Sequence, residues 1–326
     1  MGDVMELTYA EALREALREE MIRDERVIIL GEEVGVFGGA YKVTRGLLEE
    51  FGSKRVIDTP ISEIAIVGSA IGMALGGLKP VAEIMYMDFL TICLDQLITQ
   101  ASKARFMSGG KLKVPMVVRT QYSLGRIHGS QHSQFFPSWF LQAPGLYLAL
   151  PSNPKDAKGL LKASIRENNP ILFVECGVLY RSKGEVPNEE YLTPLGKAEI
   201  RRKGEDITIV AFSRCVNEAL KASEELSKEG IEAEVIDPKT LIPLDKETIL
   251  SSIKKTGRLL IVSDDIKLGG IGAEISSMVV EEAFDYLDAP IIRIGAPFIP
   301  VPFSQKLEQE YMPNADKIVR EVKRLW

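Results

Sequence analysis

Short, continuous apolar runs alternate with helical periodicity along this 326-residue chain, and that alternation leaves few folds open. Val27–Leu30, Val56–Asp58, Val81–Met87, Val114–Val118, Leu146–Leu150 and Ile171–Glu175 read as strands. Helical segments lie among them at Thr8–Arg23, Val43–Phe51, from Asp88 to about Met107, and at Pro154–Glu167. Strands without polar alternation are buried on both faces, as in a parallel sheet covered by helices. The alternation resumes with Ile207–Phe212, Ile231–Ile236, Leu259–Val262 and Ile291–Ile294, interleaved with helices ending at Lys228, spanning Asp245–Lys255 and spanning Gly272–Ala283. Charges, Pro187 and Pro194 interrupt it between Arg181 and Lys203. The expected fold is α/β, with two open, mostly parallel sheet domains flanked by helices: 1–185, a linker at 186–203, and 204–326. Ligands of such sheets bind beyond the strand carboxyl ends, so the connections leaving the strands are where function is sought.

Composition narrows the partners. A net charge of −6 without a long basic run argues against nucleic acid. Cys93, Cys176 and Cys215 are far apart and form no C-x-x-C, which fits a reducing compartment. The opening residues are acidic, without an apolar signal core or an Arg- and Ser-rich transit character. The expectation is a cytoplasmic protein that does not engage a membrane.

The stretch Asp58-Thr-Pro-Ile-Ser-Glu63, running on through Gly77, is the most distinctive. Pro60 disfavours helix before it, Ser62 is placed to cap the next helix, and Glu63 falls in its first turn, where the dipole favours a carboxylate. From Ile64 to Leu78 there are 15 residues without a charge, too short to span a membrane, so a buried helix is expected. Gly68, Gly72 and Gly76 lie on one face, and glycine weakens a helix by roughly 1 kcal/mol relative to alanine, so a close backbone neighbour is expected there. Taken alone, Glu63 reads equally as an acid that complements the dipole or as a functional carboxyl at the mouth of that helix.

Two other stretches carry weaker signals. Gly35-x-x-Gly38-Gly39 is not a dinucleotide fingerprint, and Glu32 and Glu33 would repel a phosphate there. Both histidines, His128 and His132, fall in the polar loop Thr120–Ser138. Their spacing of four would suit a metal pair only on a helix, which Gly125 and Gly129 disfavour, and no third ligand is near. Two surface histidines are one reading. The other is proton transfer, since Gln131-His-Ser-Gln134 leads into Phe135, Phe136, Trp139 and Phe140.

Glu63, four residues, Gly68, then Gly72-Met73 resembles the Glu-x4-Gly-Φ-x-x-Gly-Φ pattern of thiamine diphosphate enzymes, with Ser69 in place of the first apolar Φ. A longer ordered series includes Met107-Ser-Gly-Gly110, Gln131-His-Ser-Gln134, Pro144-Gly-Leu146, Asp156-Ala-Lys-Gly-Leu160, Leu195-Gly-Lys-Ala198, Ile236-Asp-Pro-Lys-Thr-Leu-Ile-Pro-Leu244, Lys255-Thr-Gly-Arg258 and Gly272-Ala-Glu-Ile275. Over nearly the whole chain it resembles the beta subunit of the decarboxylating component of 2-oxoacid dehydrogenase complexes (pyruvate, branched-chain 2-oxoacid and acetoin types).

The resemblance implies a thiamine diphosphate pyrimidine-binding domain followed by a transketolase C-terminal-like domain. It implies that Glu63 hydrogen-bonds the pyrimidine ring nitrogen of the cofactor, and that Met85 and Phe89, with Ile61 close by in the motif, pack on that ring. His132 matches a histidine assisting acyl transfer to a lipoyl arm, whereas His128 has no counterpart. Met116, Ser164, Ile165, Glu167 and Asn169 match positions that bind a potassium ion, partly through carbonyl oxygens, which suit a hard cation. The alternative for the last of these is a helix end with polar residues.

The chain has no Gly-Asp-Gly, the motif with which such enzymes hold magnesium and the diphosphate. The resemblance therefore implies an alpha subunit that supplies that half of the site, in an assembly of two alpha and two beta chains. A lipoyl-bearing dihydrolipoyl acyltransferase would receive the acyl group. The other readings are an acetoin dehydrogenase beta subunit, a stand-alone relative of the transketolase C-terminal half, and a scaffold subunit that only docks the acyltransferase.

Overall fold

The computed structural model describes residues 4–326; residues 1–3, which open the segment read above as lacking a targeting signal, lie outside them. The chain folds as two compact units. The first holds the described residues up to Tyr122 together with Phe140–Leu195, and the second holds Ser123–Trp139 with Gly196–Trp326.

The first unit contains β1 (Val4–Thr8), α1 (Tyr9–Arg23), β2 (Val27–Gly31), α2 (Leu47–Phe51), β3 (Val56–Asp58), α3 (Glu63–Leu75) and β4 (Lys79–Ile84). It continues with α4 (Ser102–Met107), β5 (Val117–Tyr122), β6 (Tyr147–Ala149), α5 (Pro154–Arg166), β7 (Ile171–Cys176) and β8 (Lys183–Pro187). Strands β6-β7-β5-β4-β2-β3 lie side by side in that order, all parallel, while β1 pairs antiparallel with β8. Thr8 starts α1 with a capping box: its hydroxyl accepts from the Glu11 amide at 3.2 Å, and the Glu11 carboxylate accepts from the Thr8 amide at 2.8 Å. The buried stripe Leu13, Ala16, Leu17 and Glu20 turns α1 onto α5.

From β2 the chain steps to β3 on one side, then to β4 on the other side of β2, and onward to β5. The direction reverses between β2 and β4, and in sheets of this kind the ligand crevice opens beyond the carboxyl ends at such a reversal.

The second unit holds β9 (Glu199–Arg202), β10 (Ile207–Ala211), α6 (Cys215–Ser227), β11 (Ala233–Asp237), β12 (Thr240–Ile242) and α7 (Lys246–Thr256). β13 (Leu259–Ile266), α8 (Ile271–Ala283), β14 (Ile292–Ala296), α9 (Gln305–Tyr311) and α10 (Ala315–Val322) follow. Its sheet runs β14-β13-β10-β11-β9, with only β9 antiparallel. Ile209, Val235, Leu260 and Val262 meet Val216 and Ala219 of α6 and Ile318 and Val322 of α10 in one core.

Four expectations need correcting. The segment 186–203 is not a plain linker: it carries the end of β8 and all of β9, each paired with one strand. The helix expected from Asp88 to Met107 is a 3-10 turn (Met87–Cys93), a π-helical stretch (Asp95–Ala101) and then α4. The strand expected at Val114 begins at Val117. Ser62 stands at the N-cap of α3, but its side chain makes no capping hydrogen bond. Among the described residues no helix is long and apolar enough to cross a membrane.

Candidate active site

Three connections meet beyond the carboxyl ends of β2, β3 and β4. The β3–α3 turn is anchored by the Thr59 amide, which donates to the Gly31 carbonyl at 3.0 Å. The β2–α2 connection is held by Asp58, whose carboxylate accepts from the Gly35 amide at 2.5 Å and the Val36 amide at 3.1 Å. A Cβ on Gly35 would lie 2.8 Å from the Asp58 carboxylate, so this glycine serves that close approach. The third connection, Met85 to Cys93, packs against α3.

Glu63 opens α3 and is half-buried. Its carboxyl has no hydrogen-bond or ion-pair partner among the described residues. Thr59 Oγ1, at the start of the same turn, is buried without a hydrogen-bond partner. Buried polar atoms are normally paired, and orphans mark a missing partner. Burial raises the pKa of Glu32, with the charges of Glu33 and Glu63 adding to it. Burial pushes the Cys93 thiol up to about 12, again with Glu63 contributing. Ile61 is 75% exposed and Ile64 52%, an apolar rim left uncovered beside the acid. Met85 and Phe89 are half-buried on the third connection. A free carboxyl with an orphaned hydroxyl, an apolar rim and an aromatic ring fits a polar heterocycle that needs one hydrogen bond.

Within this chain the glycine stripe has no close backbone neighbour among the described residues. A Cβ added to Gly72 would meet no atom outside its own helix within 4 Å, and one added to Gly68 only Gln96 Cγ at 3.9 Å. With Ile64 and Leu75 exposed, α3 has an open outer face rather than being buried all round.

His132 lies in the second unit, half-buried, its amide donating to the Gly129 carbonyl at 3.4 Å. Its loop is anchored by the Ile127 amide to Glu308 at 3.0 Å and by Ser130 Oγ to the Val301 carbonyl at 2.7 Å. Glu308, buried on α9, is a positioning residue that sequence reading missed, since nothing in its neighbourhood marks it. Burial lowers the pKa of His128, helped by Arg126 and His132. Among the described residues no group of three His, Cys, Asp or Glu side chains could hold a metal ion.

The five positions matched to a potassium site gather around the end of α5 and the approaches to β5 and β7. The Met116 carbonyl accepts from the Ile171 amide at 2.9 Å, and the Ser164 carbonyl from the Glu167 amide at 3.2 Å. The Ile165 carbonyl accepts from Lys79 Nζ at 3.2 Å. Glu167 Oε1 accepts from Asn168 and Asn169, and Asn169 Oδ1 from Arg105 at 2.8 Å. Each of the three carbonyls, Glu167 Oε1 and Asn169 Oδ1 thus already accepts one hydrogen bond, whereas Ser164 Oγ is buried without a partner.

Sequence and structure comparisons place the chain in a family. Residues 5–183 match the transketolase pyrimidine binding domain and residues 196–318 the transketolase C-terminal domain. A split-gene transketolase, in an inactive beta4 tetramer, superposes with a TM-score of 0.81 at 20% identity, covering 98% of each chain. The fold and the two domain matches thus define a two-domain α/β protein of the transketolase type. The chain is 46% identical over 325 residues to the beta subunit of acetoin:2,6-dichlorophenolindophenol oxidoreductase of Bacillus subtilis, covering 96% of this chain and 95% of that one. It is 44% identical to the 2-oxoisovalerate dehydrogenase subunit beta of the same organism (98% of each chain). It is also 44% identical to the mitochondrial pyruvate dehydrogenase E1 component subunit beta of Dictyostelium discoideum (98% of this chain, 91% of that one). The chain belongs to the family of beta subunits of the thiamine-dependent component of pyruvate, branched-chain 2-oxoacid and acetoin dehydrogenase complexes.

Proposed function

We propose that this chain carries the pyrimidine half of a thiamine diphosphate site and works with an alpha subunit to decarboxylate a 2-oxoacid oxidatively, passing the acyl group to a lipoyl-bearing acyltransferase. The observation that carries the reading is the partnerless Glu63 carboxyl at the mouth of α3, beside the orphaned Thr59 hydroxyl and the uncovered Ile61. Thiamine diphosphate, when bound, supplies a nucleophilic carbon and an electron sink for decarboxylation. With the cofactor bound, the Glu63 carboxyl would form the hydrogen bond to the pyrimidine nitrogen. Ile61, Met85 and Phe89 form the apolar wall that orients the ring and excludes water. His132 acts as the proton-transfer group of the acyl-transfer step.

The magnesium and the diphosphate fall to the alpha chain, because no Gly-Asp-Gly occurs here. The open face of α3 is the surface offered to a partner chain. The oxygens of Met116, Ser164, Ile165, Glu167 and Asn169 would hold a structural potassium ion, a reading supported by the unpartnered Ser164 hydroxyl. The protein works in the cytoplasm. Identities of 44–46% to all three substrate types leave the choice among pyruvate, branched 2-oxoacids and acetoin to the assay.

The test is co-expression with the alpha chain and comparison of Glu63→Gln with wild type. Assembly by size-exclusion chromatography should be unchanged, while turnover of the preferred substrate falls about 10²- to 10⁴-fold. Turnover retained within a few-fold would return the chain to a scaffold role.

A further inference from the structure

Behind Met85 and Phe89 the first unit carries a second layer of side chains that the sequence did not mark. Gln121, the penultimate residue of β5, is buried, and its amide nitrogen donates to Tyr41 Oη at 2.9 Å and to the Met85 carbonyl at 3.1 Å. Tyr41 comes from the glycine-rich connection after β2. Its ring stacks on Tyr180 at 4.9 Å and meets Tyr86 edge-on at 6.3 Å; Tyr86 in turn meets Phe89 edge-on at 5.4 Å. Tyr180 donates to Glu175 at 2.7 Å, and Glu175 is held by Arg119 through two hydrogen bonds. The backbone that carries the pyrimidine wall is thereby tied to the centre of the sheet.

We propose that Gln121 and Tyr41 are positioning residues for that wall, setting the orientation of Met85 and Phe89 toward the cofactor; this rests on the function proposed above. A side-chain amide nitrogen has two hydrogens, and here both are spent, one on each side of the bracket. An apolar side chain of the same length would fill the space equally well. It would leave the Met85 carbonyl and the Tyr41 hydroxyl without this donor, and the turn leading into Phe89 would lose its fixed register. Binding is tightest when the receiving groups are already in place, so such a loss is felt in cofactor affinity.

The experiment uses the assembled alpha–beta complex with Gln121→Met and Tyr41→Phe, titrated with thiamine diphosphate by calorimetry. A buried polar group left unpaired corresponds to about a tenfold rise in apparent Kd for Gln121→Met, with a smaller rise for Tyr41→Phe. The double variant should lose less than the sum of the two single variants, because the Gln121–Tyr41 bond is common to both changes. At saturating cofactor kcat should fall by much less than Kd rises; a merely structural role would lower kcat and thermal stability together and leave Kd alone. Kd values within about twofold of wild type in both variants would overturn the inference. If Gln121→Met fails to assemble, Tyr41→Phe, which removes one oxygen and keeps the ring, decides the matter by the same Kd criterion. A wild-type complex that binds no thiamine diphosphate would sink the proposed function instead, so the two failures are separable.

Discussion

Replacing Arg119 by methionine tests how the first unit tolerates charge in its centre. Arg119 is 2% exposed, on β5 between β4 and β7. Its Nε and Nη2 donate to Glu175 at 2.7 and 2.9 Å, and its Nη1 donates to Glu83 at 2.7 Å. Burial alone would lower the pKa of this guanidinium, but Glu175 and Glu83 outweigh it and raise it. Burial likewise raises the pKa of Glu175, against the pull of Arg119. Methionine removes three charge-assisted hydrogen bonds and leaves two buried carboxylates without their cation. Breaking a buried pair from one side costs about 3–5 kcal/mol, a large share of a domain's typical stability of about 5–15 kcal/mol. For a unit of this size that corresponds to a fall in Tm of about 10 °C, read by differential scanning calorimetry. Without Arg119 the pKa of Glu175 climbs further. A raised acid contributes stability below its unfolded pKa of 4.5 and loses it as pH rises through the folded value. The deficit of the variant should therefore shrink as pH is lowered from 8 toward 5. Adding Glu175→Gln and Glu83→Gln, which makes the cluster neutral, should recover much of the loss. A fall below about 2 °C, or a loss untouched by the neutral triple variant, would refute the reasoning.

Two further outcomes follow from the geometry. Burial raises the Asp265 pKa from 3.8 to about 6 while its carboxylate accepts from the Ile271 amide at 2.6 Å. Its stabilising contribution is full below 3.8 and lost as pH rises through about 6. Asp265→Asn keeps an acceptor but cannot ionise, so its stability relative to wild type should rise by about 3 kcal/mol between pH 4 and 7 in urea melts; a flat difference would count against the account. Exchange of sodium for potassium should raise the Tm of the complex through the oxygens around Ser164, and Tm curves that coincide in the two salts would remove that site.

What the sequence determined by itself was everything that depends on neighbours along the chain. Continuous apolar runs specified parallel strands, because only a doubly covered sheet buries them. Thr8 and Glu11, three residues apart, specified the start of α1 through a bond that needs no other element. The Glu63 motif was legible for the same reason: acid and glycines lie on one helix. The tertiary structure decided what depends on distant segments. Whether the glycine stripe of α3 had a neighbour within the chain could not be read from its spacing, and a Cβ added to Gly72 would meet no described atom outside its own helix within 4 Å. Gln121 and Tyr41 lie 80 residues apart and Ile127 and Glu308 181, so no local pattern announces either contact. The charged stretch after Arg181 looked like a linker because β8 and β9 are edge strands with little apolar surface to bury, and their partners, β1 and β11, are fixed only when the chain closes on itself.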